Sequence, residues 1–170
     1  MTTSGMWVEL RGDLFSTFEA DAVVITTNGY VDKAGKCVMG KGTAEQARDR
    51  FPGIDKRLGG LVTQYGNRVF RVQKVSLFGR DDVWIVSFPV KPVEGPNGEP
   101  GWRCRADIEI IRTSCKQLVE VTDKFGFKTV VLPRPGCGNG QLKWERVLAS
   151  GALDPIREDL RFVVVERNAE

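Results

Sequence analysis

Residues 22–44 of this chain, AVVITTNGYVDKAGKCVMGKGTA, contain the pattern that decides the fold. The first six, Ala22 to Thr27, are uncharged and mostly β-branched, which predicts a strand buried on both faces. Asn28-Gly29 then predicts a turn, and Gly40-Lys41-Gly42 precedes a predicted helix that begins near Thr43. A strand, a polar loop, a glycine loop and a helix N-terminus in this order favour an anion site, because free N–H groups and the helix dipole attract negative charge.

The glycine loop matches most of a nucleotide-binding P-loop but does not complete it. Gly35 and Gly40 have four residues between them and Lys41 follows, but Gly42 stands where a Ser or Thr would bind magnesium. The predicted strand also ends at Thr27, well before the loop. We therefore exclude a nucleoside triphosphatase. Taken alone, the glycine pair is more typical of a tight turn into a helix.

The composition excludes several kinds of chemistry. The chain has no histidine, which excludes Ser-His and Cys-His nucleophile pairs, histidine bases and histidine metal ligands. Its four cysteines (Cys37, Cys104, Cys115 and Cys137) show no C-x-x-C spacing, so we interpret them as free thiols in a reducing compartment. A reactive Cys37 or Cys137 stays open, although small packing residues are the more frequent role.

Length, charge and hydropathy set the remaining expectations. We expect 170 residues to form one domain, 1–170. Backbone N–H groups would meet the charge of a bound phosphate, so we expect no metal or cofactor. A net charge of +3 does not by itself argue for nucleic acid. No apolar run is long enough to span a bilayer and the N-terminus lacks an apolar signal region, so we expect a cytoplasmic protein with no membrane partner.

Predicted strands alternate with predicted helices along the whole chain. Strands are expected near 7–10, 22–27, 69–77 (as a strand pair), 83–88, 129–132 and 161–166, and helices near 43–51, 54–65, 105–124 and 142–148. This order predicts an α/β fold with a mixed sheet covered on both faces. Special loops follow three of the strands, at 28–42, 89–102 and 133–140; within the second, 94–101 is expected to be a mobile surface loop. Ligands of such sheets bind at the C-terminal strand ends, so we expect these loops to form one site.

The three loops together make the chain resemble the macrodomain family, which binds ADP-ribose. The residues that carry the resemblance are Gly12-Asp13-Leu14, Asn28, Val38 to Ala44, Leu132 to Gly140 and Trp144. The resemblance covers about Trp7 to Val165 and implies a three-layer fold with a central mixed sheet. Within the family, Val38-Met39-Gly40-Lys41-Gly42 and Phe88-Pro89-Val90-Lys91 are similar to the branch of the DarG antitoxins, which remove ADP-ribose from DNA.

The resemblance also implies a set of ligand contacts. Asp13, supported by the Leu14 backbone, would accept a hydrogen bond from the adenine amino group, although Asp13 is also placed to cap a turn. Asn28 would bind the distal ribose. The two glycine loops would enclose the diphosphate, one with Met39, Gly40, Lys41, Gly42 and Thr43 and the other with Pro133, Gly136, Cys137, Gly138, Asn139 and Gly140. Phe162 is the candidate for stacking on adenine.

Lys91 is the candidate catalytic residue. In the DarG branch that the chain resembles, glycosidic cleavage is attributed to the lysine of a Phe-Pro-x-Lys stretch, and the resemblance implies this role for Lys91. A partly desolvated lysine could attack C1 of an opened ribose or stabilise the leaving group. The alternative is an ordinary solvated lysine. Trp102 and Arg103 could contact a flipped base or a nucleic-acid phosphate, or Trp102 could only pin the loop.

Two departures from the family pattern leave the substrate open. The 94–101 segment is longer than expected in the DarG branch, and the second glycine loop has Asn139 where some protein-directed hydrolases have an aspartate. We therefore rank a hydrolase that releases ADP-ribose from DNA or protein first, a non-catalytic ADP-ribose reader second, and an ADP-ribose 1″-phosphate phosphatase third. The first also implies a cognate ADP-ribosyltransferase toxin as a candidate partner.

Overall fold

The computed structural model describes residues 7–167. Its strands are β1 (Val8–Gly12), β2 (Ala22–Thr27), β3 (Arg71–Leu77), β4 (Arg80–Pro89), β5 (Val130–Pro133) and β6 (Phe162–Arg167). Its α-helices are α1 (Gly42–Arg50), α2 (Ile54–Tyr65), α3 (Ile108–Phe125), α4 (Trp144–Ala149) and α5 (Asp154–Arg157). Within residues 7–167, no helix combines the length and the apolar character needed to cross a bilayer.

The six strands form one mixed sheet in the order β1-β6-β5-β2-β4-β3. The pairs β1–β6, β6–β5, β5–β2 and β2–β4 are parallel, and only β3–β4 is antiparallel. The strands β5, β2 and β4 are therefore neighbours that point the same way. Their C-terminal ends meet at one edge of the sheet, and the three loops singled out in the sequence follow these ends.

Alternation along the strands divides the core into two clusters, one on each face of the sheet. In β2, Val23 and Ile25 pack with residues of α1 and α2, whereas Ala22 and Val24 pack with residues of α3, α4 and α5. All four side chains are fully buried. This arrangement confirms the predicted α/β fold with helices on both faces of a mixed sheet.

The hairpin β3–β4 differs from its prediction. The sequence indicated a strand pair within 69–77, but β3 is one strand that pairs with β4 across the turn at Phe78-Gly79. Both turn residues have positive φ, 57° and 71°, which is the backbone of a tight hairpin turn. The prediction missed it because a phenylalanine rarely adopts this conformation.

Helix α3 begins three residues later than predicted, at Ile108. Asp107 precedes it and its carboxylate accepts hydrogen bonds from the backbone N–H groups of Glu109 and Ile110, so it caps the helix. Gly126 ends the helix in the left-handed conformation. The 94–101 segment is an internally bonded turn, in which the Gly95 N–H donates to the Glu99 carbonyl at 2.8 Å.

Candidate functional site

A cavity of about 820 Å³ opens at the C-terminal ends of β5, β2 and β4. The structure brings fifteen of the sequence-predicted site residues to its wall: Asn28, Met39, Gly40, Lys41, Gly42, Thr43, Lys91, Trp102, Arg103, Pro133, Gly136, Cys137, Gly138, Asn139 and Gly140. They come from all three loops.

Besides the aromatic candidate Phe162, two predicted residues lie outside the cavity wall. Leu14 is buried in the core cluster on the α1–α2 face, and its side chain cannot contact a ligand there. The Asp13 carboxylate caps its own turn, accepting hydrogen bonds from the Phe15 N–H at 3.1 Å and the Ser16 hydroxyl at 2.8 Å. It also pairs with Arg50 at 3.3 Å. An adenine contact at Asp13 stays a prediction.

The first loop is braced by the side chain of Asn28. The Asn28 amide nitrogen donates to the Val38 carbonyl at 2.9 Å, and its amide oxygen accepts from the Tyr30 N–H at 2.8 Å. The side chain thus joins the start of the loop to the part that lies against the cavity. An amide nitrogen has two N–H donors, so one remains for a ligand hydroxyl.

The N-terminus of α1 faces the cavity without a capping side chain. Lys41 is the cap residue and makes no side-chain cap hydrogen bond, while Gly42, Thr43 and Ala44 line the cavity. The Thr43 hydroxyl is occupied elsewhere, because it accepts from the Thr26 N–H of β2 at 3.2 Å. The first-turn N–H groups and the positive end of the helix dipole therefore favour an anion here.

The glycines of the two glycine loops serve two different purposes. A Cβ at Gly136 would lie 2.7 Å from Cδ1 of Ile111, and a Cβ at Gly140 would lie 2.9 Å from the Ala106 side chain. These two glycines therefore allow the loop to pack closely against α3 and against the residues just before it. A Cβ at Gly40 or Gly138 would meet no atom within 4 Å. Both line the cavity, so their missing side chains leave space beside the backbone.

Lys91 follows β4 and is only 5% exposed, although it lies at the cavity wall. Its Nζ donates to the Trp102 carbonyl at 3.1 Å. Among the described residues no carboxylate lies within ion-pair distance of this ammonium. Burial lowers the pKa of Lys91; the nearby Cys104 opposes this, and the positive charge of Lys41 adds to it. This excludes the solvated surface lysine that the sequence left open.

Trp102 and Arg103 form a short 3₁₀ turn at the cavity mouth. Trp102 is 41% exposed, and the guanidinium carbon of Arg103 lies 5.3 Å from the centre of its indole ring. The Trp102 carbonyl holds Lys91 while its ring faces outward, so the residue joins the lysine to the rim of the cavity. An exposed indole beside a guanidinium is a surface on which a nucleobase can stack.

The cavity wall is predominantly positive. Lys41, Lys91, Arg103 and Arg134 line it, and Glu166 is the one acidic residue among the lining residues of the described chain. Glu166 is already paired, with Arg11 at 3.1 Å and with Arg134 at 3.3 Å. The sequence analysis did not single out Glu166 or Arg134. Only the adjacency of β6 and β5 brings the end of β6 to the site.

Asn67 is a second residue that the sequence analysis missed. Its amide nitrogen donates to the main-chain carbonyl of Lys91 at 3.1 Å. A Cβ at Gly29 would overlap the Asn67 amide, and Gly29 has φ of +71°. Asn67 therefore lies between the loop that follows β2 and the main chain of Lys91. Its position between two elements gave no sequence signal.

The aromatic candidate for adenine stacking is wrong. Phe162 is fully buried at the start of β6, in the core cluster beneath α3 and α5, and so lies at the opposite end of its strand from the cavity. The prediction failed because an apolar residue that opens a strand usually belongs to the core. Trp102 is the one aromatic side chain among the described residues of the cavity wall.

Three buried or half-buried thiols are not activated as nucleophiles. Burial raises the pKa of Cys37 and of Cys115 to about 12, and that of Cys137 to about 11. Cys137 lines the cavity but stays protonated at neutral pH. Among residues 7–167, no group of three or more Cys, Asp or Glu side chains is arranged to hold a metal ion.

The sheet order, the helices on both faces and the cavity at the parallel strand ends define the macrodomain fold. The macrodomain of Mycobacterium tuberculosis DarG superposes with a TM-score of 0.70 at 26% identity, over 95% of this chain and 98% of that one. Thermosipho africanus DarTG, solved in complex with ADP-ribose, superposes with a TM-score of 0.73 at 20% identity, over 99% of this chain and 43% of that one.

The sequence relative agrees with these structures. A DNA ADP-ribosyl transferase-DNA ADP-ribosyl glycohydrolase fusion protein of Thermosipho africanus (strain H17ap60334) is 26% identical over an alignment of 155 residues, and the match covers 81% of this chain. This chain spans 36% of the length of that fusion protein. No protein-family model matches the chain. The resemblance to macrodomains of the DarG type, predicted from the sequence, is confirmed by these neighbours.

Proposed function

We propose that this chain binds ADP-ribose in the cavity and releases it hydrolytically from a modified macromolecule, with ADP-ribose linked to thymine of single-stranded DNA as the favoured substrate. The observation that carries the proposal is Lys91, a buried lysine without a carboxylate partner in a cavity built for an anion. A lysine with a lowered pKa in such a cavity is typical of a catalytic group.

The proposed binding mode places the diphosphate between the two glycine loops. The uncapped N-terminus of α1 and the side chain of Lys41 would meet one side of the diphosphate, and the backbone from Gly136 to Gly140 the other. Asn28 would donate its remaining N–H to the distal ribose. This orientation directs C1″ of the distal ribose, the carbon that bears the modified group, toward Lys91 and Trp102.

The proposed chemistry uses the neutral form of Lys91, which its lowered pKa favours. After the ribose ring opens, Nζ adds to C1″, a proton passes from Nζ to the leaving nitrogen, and the bond between C1″ and that nitrogen breaks. Water then adds to the resulting lysine imine, the bond between Nζ and C1″ breaks, and free ADP-ribose closes its ring. The lysine returns unchanged, and one water is consumed.

The similarity to DarG macrodomains supports DNA over protein as the substrate. The exposed indole of Trp102 at the mouth of the cavity supports the same choice, because it offers a stacking surface for the base that carries the ADP-ribose. A matching ADP-ribosyltransferase, supplied by a separate chain or by another part of the same protein, is the partner that this activity implies.

The test is release of ADP-ribose from single-stranded DNA modified on thymine, with glutamate-modified protein assayed in parallel. We expect release from DNA, loss of turnover in Lys91→Ala by at least about 100-fold, and ADP-ribose binding retained. Lys33→Ala, which removes an exposed lysine of the 28–42 loop, is the matched control and should leave the rate unchanged. Turnover that survives in Lys91→Ala would overturn the assignment.

A reader module without turnover is the second candidate, and one observation favours it. Glu166 is the one carboxylate on the described cavity wall, and it is paired with two arginines, so no free carboxylate stands ready to activate water. Tight ADP-ribose binding without release from either substrate would establish this function instead.

A further inference from the structure

We propose that a second surface, at the β3 edge of the sheet, binds the phosphate backbone of single-stranded nucleic acid. The surface is a ladder in which cations and aromatic rings alternate; we call it the β3 ladder. Its members are Lys74, Trp84, Arg71, Phe125 and Lys124, in this order. The ladder extends the proposed function, since the strand bound there would be the one whose base enters the cavity.

Arg71 is the centre of the β3 ladder. Its guanidinium carbon lies 4.0 Å from the centre of the Trp84 ring and 3.6 Å from the centre of the Phe125 ring, so two aromatic rings hold the group. The N–H donors point from the edges of a guanidinium, and none of those of Arg71 has an acceptor within the described chain. A guanidinium that two rings hold and whose N–H donors are free can donate to a phosphate.

Two lysines extend the ladder on either side. Nζ of Lys74 lies 5.9 Å from the Trp84 ring, opposite which Lys74 is paired in the sheet, and Nζ of Lys124 lies 5.5 Å from the Phe125 ring. Both lysines are exposed. Contacts with the rings restrict these side chains before a ligand arrives, which reduces the entropy lost on binding.

The charge of the ladder is not neutralised by the protein. No carboxylate of residues 7–167 lies within 4.0 Å of Arg71, Lys74 or Lys124. Two nearby acids are engaged by other arginines: Asp82 pairs with Arg80 at 2.9 Å, and Asp123 with Arg161 at 2.7 Å. Three cations without an ion pair along one edge of the sheet attract an external anion, and a polyanion can contact all three at once.

The position of the ladder relative to the cavity fits one continuous strand. Trp84 lies in β4, and Lys91 follows the end of this strand. An extended chain rises about 3.3 Å per residue, so the β3 ladder lies roughly 20 Å from Lys91. Stacked nucleotides repeat at about 3.4 Å, so a strand of about six or seven nucleotides spans this distance. The aromatic rings already stack on cations, so we expect backbone binding with little preference for sequence.

The test is fluorescence anisotropy with a labelled, unmodified twelve-residue oligothymidine at several salt concentrations. Because the probe carries no ADP-ribose, the result does not depend on turnover at the cavity. Lys74→Gln/Lys124→Gln should weaken binding and reduce the slope of log K against log salt by about 1.4, at about 0.7 per lost phosphate contact. Adding Arg71→Gln to this double variant should reduce the slope by about a further 0.7.

The matched control is Lys33→Gln/Lys56→Gln, which removes the same charge from exposed lysines of the 28–42 loop and of α2, and it should leave the slope nearly unchanged. Equal salt slopes in the two double variants would overturn the proposal, as would a wild-type protein that does not bind the oligonucleotide. Since Lys74 and Lys124 are exposed, folding of the test variant is not at risk, and its melting temperature verifies this.

Discussion

At the level of one residue, the proposed catalytic role of Lys91 and the stability of the fold oppose each other. The folded protein holds this lysine almost out of water, without a carboxylate partner, and the charged form carries a desolvation cost. Lys91→Met keeps the length and the apolar stem of the side chain but removes the charge. We expect it to raise the melting temperature by about 2–4 °C, the shift of about 1 kcal/mol at this size, while abolishing turnover.

The same residue predicts how that stability difference depends on pH. The pKa of Lys91 is lower in the folded than in the unfolded chain, so in the window between the two values the unfolded state binds more protons and the wild type gains stability as pH rises. The difference in free energy of unfolding between Lys91→Met and the wild type should therefore be constant at pH values below the pKa of Lys91 in the folded chain. It should decrease as the pH rises from there toward 10.5, the ordinary pKa of a lysine. Urea unfolding across pH 6–10 measures it; a gap that widens with pH would contradict the assignment.

Asn67 is a positioning residue in this proposal, since it holds the main chain of Lys91 and is not itself one of the residues that line the cavity. Asn67→Ala should lower kcat by about 10- to 100-fold, because small displacements of a catalytic group have large effects on rate, while the Kd for ADP-ribose stays nearly the same. Asn97→Ala, in the 94–101 turn, is the matched control. A proportional loss of ADP-ribose binding would show that Asn67 maintains the whole cavity.

At the scale of elements, the proposed binding mode depends on backbone that would come close to the diphosphate. Gly40 has no positive φ and open space at its Cβ position, so a side chain there is compatible with the fold but would occupy the cavity. Gly40→Val should weaken ADP-ribose binding at least about tenfold, or about 1.4 kcal/mol, with little change in melting temperature. Isothermal titration calorimetry measures it, with Gly60→Val on the exposed face of α2 as control. Unchanged affinity would mean that the diphosphate does not pass over Gly40.

The elements also show where sequence reasoning succeeds. The buried strand at Ala22–Thr27 and the three special loops follow from local composition, and they account for most of the cavity wall. Glu166 and its ion pair with Arg134 were missed because the pair requires β6 to lie beside β5, which no local pattern reports. Phe78 was missed for a different reason, since neighbours in the sheet impose a backbone that its own propensity disfavours.

At the scale of the molecule, the two core clusters and the parallel order of β5, β2 and β4 explain why loops distant in sequence converge. The alternation of strands and helices predicted the layers of the fold. Because β5, β2 and β4 are neighbours at the centre of the sheet, the three loops that follow them form one site. Resemblance to a family supplied the ligand class. It could not supply the β3 ladder, which arises where the end of α3 crosses the edge of the sheet.

The pairing of β1 with β6 has a consequence for the order of folding. Val8 pairs with Val163, so the first described strand finds its partner only when the last one exists. On the ribosome, β1 must wait until nearly all of this region has been made, and contacts so distant in sequence are slow to form. The segment that closes the sheet also carries Val165 and Glu166, so a nascent chain that lacks this segment has an incomplete cavity wall.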